Sequence, residues 1–345
     1  MAIRINVLSK AEEVPAQGVG SASFEQNHLV NSSPVLDVSF NSKKNNFDIF
    51  HIHSVHLSNR LRMNHKHTNI VDVHFLPRNN KGSIVLGKPI EYIFTRYVER
   101  MYKKADEIIV VNPFFIPEVV KIGIANEKIT YIPNYVDKER FHELSVIEKK
   151  NIRKKYKIDE NAFVILGCGQ IQTRKGVEDF VEIAKRCPDY QFVWAGGFSF
   201  GKITHGYKKF KKIMANPPLN IKFLGIINRE DMNDIYNMSD VLILPSFMEL
   251  FPMTILEACN VSMPILLRDL KLYEPVLFNK YCSANDLDGF VEQLIKLHNN
   301  KDYYLYAKKN SQEIANYYSK DKVLKIWEDY YQRIYQKYHK KGEKD

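Results

Sequence analysis

The sequence has little cysteine and no long apolar run. Its four cysteines, Cys168, Cys187, Cys259 and Cys282, lie far apart in 345 residues and form no C-x-x-C pair. That spacing suggests neither a zinc site nor a disulfide framework and favours a reducing, cytoplasmic setting. No stretch approaches the roughly 20 apolar residues of a spanning helix, so any membrane contact is expected to be peripheral. The opening Met1-Ala-Ile-Arg-Ile-Asn-Val-Leu8 is too short an apolar stretch for a signal peptide and reads as a first strand. No RNP, helix-turn-helix or zinc-finger pattern occurs, so the basic balance and the interleaved Tyr and Lys of 317–338 do not amount to a nucleic-acid reader.

What is present describes an ordinary globular chain, with 45% hydrophobic and 26% charged residues. Its length suits about two domains, each with its own core. Strand-like runs alternate with helical patterns, as expected of parallel sheets. In the first half they are Ile3–Leu8, Ile49–His51, Val71–His74, Ile108–Val111 and Ile129–Ile132. The polar, Lys-rich Phe141–Ile158 has no strand of its own and marks the expected boundary, between a first domain ending near 145 and a second running from 155 to 318. The second half restarts with Phe163–Cys168, Phe192–Ala195, Ile221–Leu224, Val241–Leu244 and Pro264–Leu267. The prediction is two doubly wound domains facing across a cleft, followed by a helical segment over 319–340.

The most informative segment is 244–258, Leu-Pro-Ser-Phe-Met-Glu-Leu-Phe-Pro-Met-Thr-Ile-Leu-Glu-Ala. Pro245-Ser246 breaks the strand run before it, and a helix is expected from Pro252. Glu249 therefore falls in the loop leaving a strand's carboxyl end and Glu257 in the next helix, at the crevice where open α/β sheets bind ligands. Taken alone, such a pair also suits a surface Glu plus a first-turn Glu favoured by the helix dipole. A second loop, Gly167-Cys-Gly-Gln-Ile-Gln-Thr-Arg-Lys-Gly176, leaves the first strand of the second domain and precedes a helical pattern. Its glycines allow close backbone approach, and a helix N-terminus offers amides to an anion.

The 244–258 segment, followed by Met263-Pro-Ile-Leu-Leu267, closely resembles the donor-site signature of the retaining family 4 glycosyltransferases, which have the GT-B fold. The resemblance spans nearly the whole chain. It implies that Glu249 with the neighbouring Leu250 and Phe251 holds the transferred sugar, that Glu257 holds a nucleotide ribose, and that the final helix crosses back onto the first domain. At the second glycine loop it implies that Gly169, Gln170, Arg174 and Lys175 meet a diphosphate. Lys175 matches the family lysine, whereas Gln170 stands where an arginine is usual, which leaves Arg174 as the substitute cation. It further implies a flexible glycine-rich loop at Gln17-Gly-Val-Gly-Ser21, with Gly18 and Gly20 near the donor phosphates. His74, at the end of Val71-Asp-Val-His-Phe75, matches the family histidine lining the sugar pocket; alone it would read as a strand-end imidazole.

His51, His53, His56, His65, His67 and His74 raise the question of metal, but no H-E-x-x-H spacing occurs and histidines along a strand divide between its two faces. Asp286-Leu-Asp288 precedes a helical run and reads as an N-cap. The family implies no metal and no cofactor beyond the donor, UDP-glucose or UDP-galactose. It also implies transfer with retention. No carboxylate stands out as a nucleophile, which favours front-face attack, with Arg174 and Lys175 stabilising the leaving diphosphate.

The acceptor reading rests on charge and periodicity. Lys and Arg exceed Asp and Glu by ten, 50 against 40, which favours an anionic partner. Helix 88–104 places Ile90, Ile93, Phe94, Tyr97, Val98 and Met101 on one face, with Arg96, Arg100, Lys103 and Lys104 elsewhere. That is the pattern of an interfacial helix, and equally of a core helix with a basic outer face. The preceding loop 75–90 is apolar and basic. With Ile5–Lys10 and Gly167–Gly176, it makes the chain resemble the glycosyl-diacylglycerol glycosyltransferases of low-GC Gram-positive bacteria, which act at the cytoplasmic leaflet. A hexosyltransferase adding sugar to a glycolipid on the inner face of the cell membrane is therefore expected; a soluble member acting on a polysaccharide or protein is the alternative.

Overall fold

Strands such as Val164–Cys168 and Val241–Leu244 are apolar on both faces, which suits a parallel sheet covered by helices on each side. A computed structural model describes residues 2–11, 18–76, 82–83, 85 and 87–339. Two compact units emerge, one of residues 1–80, 86–137 and 318–345, the other of 81–85 and 138–317.

The first unit runs β1 (Ile3–Leu8), α1 (Gly18–Asn31), β2 (Leu36–Phe40), β3 (Ile49–Ile52), α2 (Leu57–Arg62), β4 (Thr68–Val73), α3 (Lys88–Lys104), β5 (Glu107–Val110), α4 (Ile116–Lys121) and β6 (Ile129–Tyr131). Its six strands are all parallel, in the order β2-β1-β3-β4-β5-β6. The order reverses between β1 and β3, the topological switch point where such sheets take ligands.

The second unit runs α5 (Val146–Lys155), β7 (Val164–Cys168), α6 (Val177–Arg186), β8 (Gln191–Ala195), α7 (Tyr207–Ala215), β9 (Ile221–Gly225), α8 (Met232–Asn237), β10 (Val241–Leu244), α9 (Met253–Asn260), β11 (Ile265–Arg268), α10 (Glu274–Leu277), β12 (Cys282–Ala284), α11 (Leu287–Asn299) and α12 (Lys301–Tyr317). Its six parallel strands lie in the order β12-β11-β10-β7-β8-β9, and the switch point falls between β7 and β10. The last helix, α13 (Lys320–His339), packs on α1 and β1 of the first unit.

Each sheet has one strand more than the sequence pattern suggests. Both extra strands, β2 and β12, are edges: β2 is buried only at Leu36, and β12 has three residues. The 141–158 segment, read from sequence as the boundary, belongs to the second unit. Arg153 fastens it there by donating to the Met238, Glu160 and Ala162 carbonyls and to the Asp240 carboxylate at 2.8–3.0 Å. A capping box between Ser145 and Glu148 starts α5 ahead of that anchor. Asp286 caps α11 by accepting from the Gly289 amide.

Candidate active site

The loops that leave β7 and β10 stand side by side because those strands pair across the switch point. After β7 the backbone makes a short turn at Thr173–Lys175, and α6 begins at Val177. Gly176 joins turn to helix at φ +68°, and a Cβ there would stand 2.1 Å from the Pro245 carbonyl oxygen in the β10 loop. Only glycine permits that approach. It brings Lys175 under Glu249, with Nζ to Oε1 at 2.6 Å, both side chains nearly buried. Gly169, at φ +132°, lies against the Lys175 side chain. Arg174 reaches Glu249 Oε2 at 3.6 Å while donating to the Met248 carbonyl at 2.5 Å and to Ser83 Oγ at 2.8 Å. Burial alone would raise the Glu249 pKa, but the Lys175 and Arg174 charges outweigh it and hold the carboxyl below its usual range. Burial lowers Lys175, with Glu249 opposing.

Glu257 lies in α9, which starts after Pro252. It accepts from Tyr236 Oη at 2.6 Å and from Arg229 Nη1 at 3.1 Å. The two acidic residues of the α6 first turn are drawn aside, Glu178 by Lys209 at 2.6 Å and Asp179 by Arg268. Gln170 accepts from Gln172 at 2.8 Å. Leu250 is half-buried and Phe251 buried. Burial, with the Glu257 charge adding to it, raises the Cys168 thiol to about 12.

In the first unit Gly18 and Gly20 form the first turn of α1, not a loop; residues 12–17 lie outside the described residues. His74 follows β4 and lines a pocket with Ala22 and Gln26 of α1, His53, Asp72 and Trp327. Histidines along a strand do not all divide between faces here. His51 on β3 and His53 just beyond its end share one with Asp72 on β4 and His74 just beyond its end. His51 Nε2 lies 2.7 Å from Asp72 Oδ1, and His51 Nδ1 lies 2.6 Å from Tyr331 Oη on α13. His53 Nδ1 is 3.0 Å from both Asp72 Oδ2 and His74 Nε2. Burial alone would raise Asp72, but His51 and His53 hold it well below the carboxylate range. Burial drives His53 well below the imidazole range.

Among the described residues, His51, His53 and Asp72 form a group whose ligand atoms lie within 4.8 Å of one another. The 2.7 Å between His51 Nε2 and Asp72 Oδ1 is a hydrogen-bond length. Two ligands on a tetrahedral zinc, with bonds of about 2.0 Å, stand roughly 3.3 Å apart.

Residues 10–140 match the family model described as Glycosyltransferase Family 4, and residues 148–314 match Glycosyl transferases group 1. The chain is 39% identical over 336 residues to the alpha-galactosylglucosyldiacylglycerol synthase of Streptococcus pneumoniae, covering 96% of this chain and 90% of that protein. This chain is a family 4 glycosyltransferase. It is also 23% identical to the processive diacylglycerol alpha-glucosyltransferase of Acholeplasma laidlawii, over 85% of this chain and 83% of that one. Among solved structures it resembles Anabaena HepE in complex with UDP and glucose, with TM-score 0.75 at 12% identity over 95% of this chain and 98% of that one. It likewise resembles the sucrose-phosphate synthase of Thermosynechococcus elongatus, with TM-score 0.77 at 14% identity over 96% and 99%. The fold is GT-B.

Within this glycosyltransferase the structure gathers Gly169, Arg174, Lys175 and Glu249, and puts Glu257 in the same unit with its own partners. Sequence reasoning named His51 and His53 only in weighing a metal site, and missed their link to Asp72 and the Tyr236 and Arg229 that hold Glu257. The signal for that link was the repeated two-residue spacing, His51 with His53 and Asp72 with His74.

Proposed function

We propose that this enzyme transfers a glucose or galactose from its UDP-sugar to a membrane glycolipid such as monoglucosyl diacylglycerol, with retention at the anomeric carbon. The observation that carries the donor half is the buried Lys175–Glu249–Arg174 group at the β7/β10 switch point. In this reading Glu249 accepts from hydroxyls of the transferred sugar, and its pairing with two cations keeps it ionised for that purpose. Lys175 and Arg174 meet the leaving diphosphate, and their charge counts most as the glycosidic bond breaks. Gly169 and Gln170 line the same loop, while Leu250 and Phe251 shape the sugar pocket. Glu257, already oriented by Tyr236 and Arg229, takes the ribose. In the first unit we assign His74 to the transferred sugar, and Gly18 and Gly20 at the start of α1 to the donor phosphates. The departing phosphate oxygen takes the acceptor proton.

The lipid half is supported by the diacylglycerol relatives and by α3. The C-terminal half of α3 is core, with Val98, Met101 and Tyr102 buried. Its N-terminal half exposes Ile90, Tyr92 and Ile93, at 59–67%. The neighbouring α2, whose Arg60 stacks on Tyr97, exposes Leu57 and Leu61. Core packing does not account for these side chains, and with Arg96, Arg100 and Lys103 they suit docking on the anionic inner face of the cell membrane. No helix among the described residues is long and apolar enough to cross a membrane. The loop before α3 is described only at 75–76, 82–83, 85, 87 and onward.

The test is incubation with labelled UDP-glucose and UDP-galactose against vesicles containing monoglucosyl diacylglycerol, with the anomeric configuration of the product read by NMR. An α-linked diglycosyl lipid is expected. Transfer only to water-soluble polysaccharide or protein, or a β-linked product, overturns the reading.

A further inference from the structure

We infer that Asp72 is a positioning residue for His74, acting through His53 and fixing which ring nitrogen of His74 carries the proton. The inference rests on the assignment of His74 to the transferred sugar proposed above. Asp72 is 3% exposed and ionised, so it only accepts hydrogen bonds. Its Oδ1 accepts a hydrogen bond from His51 Nε2 at 2.7 Å, and that leaves His51 Nδ1 to accept from Tyr331 Oη at 2.6 Å and from Gln26 Nε2 at 3.1 Å. Every His51 ring nitrogen is thereby satisfied, and the carboxylate is anchored to the final helix.

The other oxygen decides the state of the pocket. Between His53 Nδ1 and His74 Nε2, 3.0 Å apart, there is room for one proton. Oδ2 lies 3.0 Å from the His53 nitrogen and 3.4 Å from the His74 nitrogen, so its negative charge favours the proton on His53. His53 then donates to His74 Nε2, and His74 carries its own hydrogen on Nδ1. The other His53 nitrogen, Nε2, is buried without a hydrogen-bond partner among the described residues, as a lone pair tolerates better than an N–H. A carboxylate that selects the tautomer of an imidazole one hydrogen bond away is the logic by which a buried Asp orients a histidine in hydrolytic triads. Here the carboxylate faces the His74 nitrogen at 3.4 Å and, at 3.0 Å, the His53 imidazole that donates to it.

Nitrogen-15 NMR of histidine-labelled protein tests this without reference to sugar transfer. In the wild-type protein His51 should be the Nε2–H tautomer and His53 and His74 the Nδ1–H tautomer; His74 found as Nε2–H overturns the inference whatever any variant does. In Asp72→Asn, whose side chain carries no charge to bias the shared proton, the His74 ring signals should shift toward the Nε2–H form. Turnover should fall about 10- to 100-fold, with the donor KM held within about twofold. A folded Asp72→Asn protein with unmoved His74 signals or wild-type turnover overturns the inference while leaving the glycosyltransferase reading intact. Absence of any glycolipid product from wild type, with the tautomers as stated, overturns only that reading.

Discussion

At the residue scale, the two glutamates of the 244–258 segment have different partners. Glu249 sits against Lys175 and Arg174, and Glu257 against Tyr236 and Arg229. Glu249→Gln is expected to lower kcat more than donor affinity, and Glu257→Gln to raise the donor KM with little change in kcat; wild-type kinetics in both would contradict the donor site. Lys175→Ala should depress kcat by about 100-fold, since a charge on the leaving group strengthens in the transition state. Steady-state kinetics with circular dichroism as a folding control check this. Acid stability belongs here too. The His53 pKa is depressed in the folded state, so the unfolded chain binds more protons as pH falls below about 6.5. Stability contributed by the neutral His53 is complete above that pH and is lost as pH drops toward the folded value. His53→Gln should therefore flatten the dependence of Tm on pH between about 6.5 and 5, as read by thermal unfolding. The placement of Glu249, Glu257 and Lys175 on the loops and helix after β7 and β10 was legible in the sequence because each falls in a contiguous motif. The His51, His53 and Asp72 cluster was not, because strand register assembles it: Ile52 pairs with Val71, and that brings the side chains of two strands onto one face.

At the element scale, the buried strands were legible as apolar runs, whereas β2 and β12 were not. An edge strand has one paired side and a half-wet surface, so its composition drifts toward that of a loop. The first turn of α1 was read as a glycine loop for a related reason: Gly18 and Gly20 disfavour helix intrinsically, and packing of α1 on β2 and α13 overrides that preference. Gly176→Ala tests the turn that joins the two donor loops. With φ at +68° and the Pro245 carbonyl 2.1 Å from the new Cβ, it should cost at least about 1–2 kcal/mol in stability and displace Lys175. Denaturant unfolding gives the first quantity and nucleotide titration the second. Helix α3 carries the membrane prediction. Basic residues near an anionic leaflet contribute about 1 kcal/mol each, so Arg96→Glu, Arg100→Glu and Lys103→Glu together should release the enzyme from anionic vesicles and spare activity on a short-chain soluble acceptor. A folded triple variant that co-sediments like wild type would show that α3 is not the contact.

At the scale of the whole molecule, the first unit is discontinuous. Its sheet is complete by residue 131, yet Trp327, Tyr330, Tyr331 and Ile334 of α13 are buried in it, and the His51 network ends on a hydroxyl nearly at the end of the chain. During synthesis from the ribosome this reverses the usual order in which domains mature. The first unit emerges first and must wait, its β1 and α1 surfaces uncovered, while all 180 residues of 138–317 are made. The second unit has no such debt and can close before release. A chain ended at residue 317 should thus yield a protease-resistant core beginning near 138, with the preceding segment degraded. Trp327→Ala, costing about 3–5 kcal/mol, should mimic it in part by lengthening the interval in which the newborn first unit is open to chaperones.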